Sequence, residues 1–227
     1  MTQTPGSDQI SAHFAVSGIP RNQGLALAQM LSARLSHDLA GLVGSLVGTL
    51  ELANSDPEAF AMAQETALAL NGRLKLLRAA FGAAEQNLSF AEIAELLRAL
   101  PVSRRVSLNL THMPPSRVWR ATEARLLLCV TMLAVESLAG EGEVLMQRAE
   151  DGTVLLAAIG PRAIWPAGFV SFLTDPATAL EHATDQGPRG ILAPLVALLA
   201  EAAGARIAIL IGPHSETAPP LIITFAG

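Results

Sequence analysis

The stretch LSHDLAGLVGSLVGTLEL, Leu35 to Leu52, sets one histidine, His37, beside one acid, Asp38, and then carries no further charge until Glu51. Leu31, Leu35, Leu39, Leu42, Leu46 and Leu50 recur through it at steps of three and four, which predicts one long amphipathic helix from about Gln23 to Asn54. At 100° per residue the leucine stripe centres about 50° from Leu31, whereas His37 falls about 240° away, so the imidazole faces solvent. Gly41, Gly44 and Gly48 lie on the histidine's own face by the same count. Each interior glycine costs a helix about 0.8–1.0 kcal/mol relative to alanine, so three of them imply a compensating use. Two uses remain open: the glycines admit a neighbouring helix of the same assembly, or they clear ground for another protein beside the histidine.

The helix stops at NSDPEAF, where Asp56 can cap free N–H groups and Pro57 suits a first helical position. Beyond it Phe60, Ala63, Ala67, Leu70, Leu74, Leu77 and Phe81 alternate steps of three and four, the seam of a helical bundle. Two long helices joined by a tight turn make a hairpin. Such a hairpin cannot enclose its own stripe, so the expected completion is a homodimer forming a four-helix bundle.

The pattern changes after FGAAEQN, which divides the chain into a hairpin over 1–86 and a second domain over 87–227. SFAEIAELLRAL opens with a capping box, Ser89 to Glu92, and reads as a short helix. RVSLNL reads as a strand, THMPPSRVWR around His112 as a loop, and TEARLLLCVTMLAVESLA as a helix. EVLMQRAEDGTVLLAAIG reads as a hairpin turning at Asp151-Gly152, and RGILAPLVALLAEAAG as a helix ended by Gly204. ARIAILIG and PLIITFAG close the chain as apolar strands. The expected fold is α+β, with a sheet carrying helices on one face.

Composition narrows the function. The chain is 51% hydrophobic and 15% charged, which excludes an intrinsically disordered protein. A net charge of -5 has the wrong sign for a protein whose task is gripping a phosphate backbone, so no nucleic-acid partner is expected. Cys129 stands alone in an apolar run, offering neither disulfides nor a zinc site. The N-terminal stretch lacks the pattern of a signal peptide, and the apolar run Leu39 to Leu50 is short of the ~20 residues of a membrane span. A cytoplasmic protein without a membrane partner is expected. His13, His112, His182 and His214 show no metal-ligand spacing, and no metal site is expected.

These residues carry a resemblance. An exposed histidine followed by an acid and a leucine, near the start of a two-helix hairpin, resembles the phosphoacceptor box of bacterial sensor histidine kinases. HDLAGLVGSLVGTLELA is closer still to the ChpT family of histidine phosphotransferases, in the His37-Asp38-Leu39 start, Val43-Gly44, Gly48 and Leu50-Glu51-Leu52. The family usually has a proline five residues after the histidine, where this chain has Leu42 preceded by Gly41. The second domain resembles, in the order of its elements, the ATP-binding sandwich of those kinases, but its nucleotide boxes are degenerate. The helix LLLCVTMLAVESL holds no asparagine for a metal, IGPRA (Ile159 to Ala163) replaces the adenine-reading box, and Pro188 and Arg189 stiffen the last glycine box.

The resemblance implies a phosphotransferase working through a phosphohistidine at His37, not an ATP-dependent autophosphorylating kinase. It implies Asp38 as the group that orients the imidazole. Partners would be receiver domains of a hybrid histidine kinase and of response regulators, with Mg²⁺ supplied by the receiver and no cofactor or ATP of the chain's own. Arg34, Gly41, Gly44 and Gly48 are the candidate docking residues. The alternatives are a degenerate kinase-like protein that binds nucleotide and a non-catalytic dimeric scaffold for response regulators.

Overall fold

The computed structural model describes residues 21–53, 56–83, 86–176, 178–179, 181, 187–211 and 218–226. The N-terminal stretch, His13, His182 and His214 lie outside the described residues. Helix α1 runs Arg21–Leu52 and α2 Pro57–Phe81. Asp56 caps α2 by accepting from the Glu58 N–H at 2.9 Å, with Pro57 in the first turn, where its missing N–H is not needed. Leu31, Leu35, Leu39, Leu42 and Leu46 of α1 are half-buried, as their spacing requires.

The α2 seam splits in two. Ala63 and Leu77 are buried and Leu70 half-buried, while Phe60 and Leu74 are 51% and 46% exposed and Ala67 is exposed as well. Alternate members of the heptad therefore differ in burial, and only one set is covered among the described residues. The lower half of the hairpin rests on the second unit: Leu76, Leu77 and Ala80 join one core with Ile93, Leu97, Leu126 and Leu133.

Strand β1, Leu88–Ser89, leads into α3, Phe90–Leu97, through a complete capping box between Ser89 and Glu92. Then follow β2 (Val106–His112), β3 (Val118–Trp119), α4 (Ala121–Ser137), β4 (Gly142–Arg148) and β5 (Val154–Ile159). The short α5 is Phe169–Thr174, a 3₁₀ turn spans Pro188–Ile191, and α6 (Leu192–Ala202), β6 (Ala205–Ile209) and β7 (Leu221–Phe225) complete the described elements. His112, expected in a loop, is the last residue of β2.

Among the described residues five strands form a mixed sheet in the order β2-β4-β5-β7-β6, parallel between β2 and β4 and antiparallel elsewhere. β1 and β3 pair separately. Val144 and Met146 of β4 and Leu156 of β5 are fully buried, and their neighbours Leu145, Gln147 and Leu155 less so, the alternation of a sheet covered mainly on one face. Helices α4 and α6 supply that cover, with Leu126, Met132, Leu192 and Val196 at most 2% exposed. Gly204 follows α6 with φ +62°, a left-handed step that lets the chain turn directly into β6.

Candidate functional site

His37 projects from the middle of α1 with its side chain 56% exposed. Its Nδ1 lies 3.4 Å from Oδ1 of Asp38, whose own side chain is only 9% exposed. The two residues share a helix but not an environment.

Asp38 belongs to a cluster contributed by three helices. Arg34, one turn earlier on α1, donates from Nε to Asp38 Oδ2 at 2.9 Å, and Arg73 of α2 donates from Nη2 to the same oxygen at 3.2 Å. The other arm of Arg34 extends through Nη2 to Oε1 of Glu136 on α4, 102 residues away in the chain. Arg34 and Arg73 are 6% and 4% exposed, so both guanidiniums are essentially removed from water. That desolvation is tolerable because the two cations meet two anions and the four formal charges cancel. Burial opposes the Arg34 charge, but Glu136 and Asp38 outweigh it and hold its pKa above the usual value. For Arg73 burial wins and lowers the pKa, with Asp38 opposing and the nearby Arg34 adding to the fall. A guanidinium stays protonated under either influence. Arg73 Nη1 is buried without a hydrogen-bond partner.

Arg34 therefore does not occupy the place expected of it. As a docking residue it would reach outward to an acidic pocket, whereas its guanidinium turns inward because two carboxylates await it there. Arg73 and Glu136, which no motif singled out, complete the cluster. Arg73 had one sequence signal: it falls three residues after Leu70 and four before Leu77, a charged residue in an inward register.

The glycines are exposed along the histidine's face. A Cβ built on Gly41, Gly44 or Gly48 meets nothing within 4 Å, so nothing within the described chain requires their smallness. Val43, Val47 and Leu50 of α1 and Phe60 at the start of α2 are 45–51% exposed.

In the second unit the degenerate boxes form ordinary structure. Ile159 ends β5, Arg162 donates to the Ala139 carbonyl at 3.3 Å, and Pro188 opens a 3₁₀ turn that runs straight into α6. Among the described residues no group of three or more His, Cys, Asp or Glu could hold a metal ion, and no helix is long and apolar enough to cross a membrane. Cys129 is fully buried, and desolvation pushes its thiol pKa up to about 12.

The cluster and the exposed imidazole together set an accessible ring nitrogen beside a carboxylate that is held in place. A neutral imidazole whose Nδ1 carries the proton presents Nε2 as a bare nitrogen, and a fixed carboxylate beside Nδ1 favours that tautomer. Such a nitrogen can take a phosphoryl group in line, provided that a second molecule brings the phosphorus to it.

Comparisons with known proteins bear on the family and the fold. Residues 90–215 match the family described as the histidine phosphotransferase C-terminal domain. Among solved structures, a bacterial phosphotransferase superposes with a TM-score of 0.63 at 21% identity, covering 88% of this chain and 95% of its own. The histidine kinase AdeS of Acinetobacter baumannii follows with 0.39 at 14% identity, over 84% of this chain and 97% of its own. The histidine kinase domain of the blue-light activated kinase EL346 from Erythrobacter litoralis gives 0.38 at 12%, over 90% and 93%. The phosphotransferase bears out the mixed α+β fold with its long N-terminal helices. No curated protein matches the chain.

Proposed function

Since the chain belongs to the histidine phosphotransferase C-terminal domain family, we propose that it shuttles a phosphoryl group between receiver-domain aspartates through His37. The observation that carries this reading is a solvent-exposed imidazole set on a carboxylate that two buried arginines hold in place. The Nε2 lone pair attacks phosphorus, the bond from phosphorus to the aspartyl oxygen breaks, and the donor leaves as a carboxylate. The product is a phosphohistidine whose Nδ1–H faces Asp38; the reverse sequence delivers the group to a second receiver. Charge on the transferring group is handled mainly by positioning and electrostatics, and the Mg²⁺ belongs to the receiver.

The open glycine face, Gly41, Gly44 and Gly48, is the docking ground for a receiver helix, next to the imidazole. The working form is a homodimer: Phe60, Ala67 and Leu74 present the uncovered half of the α2 seam, and a second hairpin covers it in a four-helix bundle. ATP is not a phosphoryl source for this chain, a reading supported by the Pro188 turn and by the replacement of the adenine and metal residues. We place the protein in the cytoplasm, where phosphorelay receivers work.

The test mixes the protein with a receiver domain carrying labelled phosphoryl aspartate and follows label onto wild type and His37→Ala. Label on wild type alone supports the reading. Equal labelling of both places the phosphoryl group on another residue and defeats it; labelling of neither defeats it and favours a scaffold. Calorimetric titration with ATP and Mg²⁺ should give no binding heat; a saturable heat would favour the nucleotide-binding alternative.

A further inference from the structure

We propose that the cavity between β3, the first turn of α4 and the end of β4 is a binding site for a small phosphate monoester, gripped by Arg117 and Arg148. The inference goes beyond phosphotransfer at His37 and does not depend on it.

Strand register makes Arg148 the starting point. Val144 and Met146 of β4 are fully buried in the core shared with α4, and Arg148, two residues further on, falls in the same register. A charge in that register calls for an acid. Among the described residues it has none bonded to it: Nε of Arg148 is buried without a hydrogen-bond partner. Asp151 lies close enough for the Arg148 charge to act on it, but its Oδ1 is taken by the N–H and hydroxyl of Thr153 at 3.0 and 2.7 Å. The guanidinium is held in place all the same. Gly152, at φ +90°, brings the turn between β4 and β5 so close that a Cβ built there would stand 2.9 Å from Arg148 Nη2.

The guanidinium of Arg117 stands 5.5 Å from the centroid of the Trp119 ring, held there by the π face and not by an acid. Trp119 is 1% exposed, meets Phe225 edge-on at 5.1 Å, and has in Nε1 a second buried donor without a partner. Arg120, the third cation of the wall, is by contrast satisfied. Glu123 accepts from its Nε and Nη2 at 2.8 and 2.7 Å, and the Ala226 carbonyl accepts from Nη2 at 2.8 Å. The unmet groups are therefore all donors or cations, and an acceptor-rich ligand is what they lack.

Two guanidiniums without an ion pair suit a phosphate monoester, which brings three acceptor oxygens and a charge of about −1.5 to −2 at pH 7, better than a carboxylate with its single charge. The cavity, of about 460 Å³, is of small-molecule size and leaves room beyond one phosphate for an apolar group against Val118 and Phe225. It is not the place of the degenerate nucleotide boxes. β5 runs from the Asp151-Gly152 turn to Ile159, so the IGPRA stretch lies at the opposite end of the sheet, near the end of α4, where the Ser137 carbonyl accepts from the Ile164 N–H at 3.0 Å.

The experiment titrates the full chain with phenyl phosphate and follows the indole N–H signals of its two tryptophans by nitrogen-15 NMR, assigned with Trp165→Phe. Trp165, which donates to the Pro219 carbonyl at 2.7 Å, is the internal reference. The Trp119 signal should move saturably while that of Trp165 stays. Arg148→Gln and, separately, Arg117→Gln should each weaken binding about tenfold, the order expected for losing one charge-assisted contact. Arg117 is exposed, so its variant keeps the test decisive if Arg148→Gln disturbs the turn. Benzoate should bind at least tenfold more weakly, and His37→Ala should bind phenyl phosphate as wild type does. No saturable shift, a shift that both arginine variants leave unchanged, or equal binding of benzoate overturns the inference. So does loss of binding in His37→Ala, which would put the probe at the phosphoacceptor. A phosphoserine peptide binding at least tenfold more tightly than phenyl phosphate would overturn it in favour of a phosphorylated protein segment.

Discussion

Replacing Gly41, Gly44 and Gly48 together by alanine separates the two uses that three glycines on one helix face can have. Within the chain a Cβ at each position meets nothing within 4 Å, so the methyl groups enter open space without steric cost. The helix gains about 0.8–1.0 kcal/mol at each site, or about 2.4–3 kcal/mol for the three. For a domain of this length that is a rise of roughly 5–12 °C in Tm. If the face receives another protein's helix, the variant should be more stable by this amount in urea titration. It should also keep its oligomeric state by sedimentation and bind a receiver at least tenfold more weakly, because the added methyls hold the docking helix off. A single Gly44→Leu should weaken docking further and still leave the dimer assembled. The result that refutes the reasoning is a loss of stability that grows on dilution. That outcome would place the glycines in the seam between two hairpins, where they admit a backbone of the second copy, and the docking ground would have to be sought elsewhere.

The remaining predictions concern the interior. Arg73→Met leaves Asp38 with a single guanidinium in a nearly dry position, and chemical denaturation should show a loss of about 3 kcal/mol, near the lower end for breaking a buried pair. Cys129, fully buried with its thiol pKa raised to about 12, should not react with a thiol reagent at pH 8 in the native protein and should react stoichiometrically once unfolded. Partial burial holds the Glu136 carboxyl above its usual 4.5, with the Arg34 hydrogen bond and charge pulling the other way. Its contribution to stability is therefore fully present below the unfolded value and lost as pH rises through the folded one. Stability of wild type relative to Glu136→Gln, measured by urea titration at a series of pH values, should fall on going upward from pH 4.5; a difference flat with pH would show that the group is not perturbed.

Much of the fold is legible because its signals are local. The step pattern of α1 and α2, the Asp56-Pro57 start, the Ser89 to Glu92 capping box and the Asp151-Gly152 turn each act within a few residues, and each appears where the sequence predicts it. The elements that escaped are those too short to carry a period: the two-residue strands Leu88–Ser89 and Val118–Trp119, and the six-residue helix Phe169–Thr174. A ladder of two pairs is specified by what the neighbouring chain offers, not by its own residues.

The site divides along the same line. Counting from Leu31, His37 lies far from the centre of the leucine stripe and its exposure follows, but Arg34 and Asp38 fall on the stripe's flanks, roughly 110° and 70° from that centre. A flank position is buried or exposed according to what packs beside it, and here the neighbours are Arg73, on the next helix, and Glu136, a hundred residues on. Helical periodicity assigns a face; it has no access to a charge arriving from α4. An arginine on such a flank reads equally as a solvated helix charge, a docking residue or an internal partner, and the choice is made by a carboxylate that the hairpin does not contain. The same dependence means that the hairpin sequence is not the whole site. His37 and Asp38 can be recognised from their own stretch, whereas the partners that hold Asp38 include Arg73 of the next helix, and Arg34 is bonded in turn by Glu136 of α4. Excising the hairpin would preserve the His37-Asp38 stretch together with Arg34 and Arg73, and would remove Glu136, one of the carboxylates bonded to Arg34.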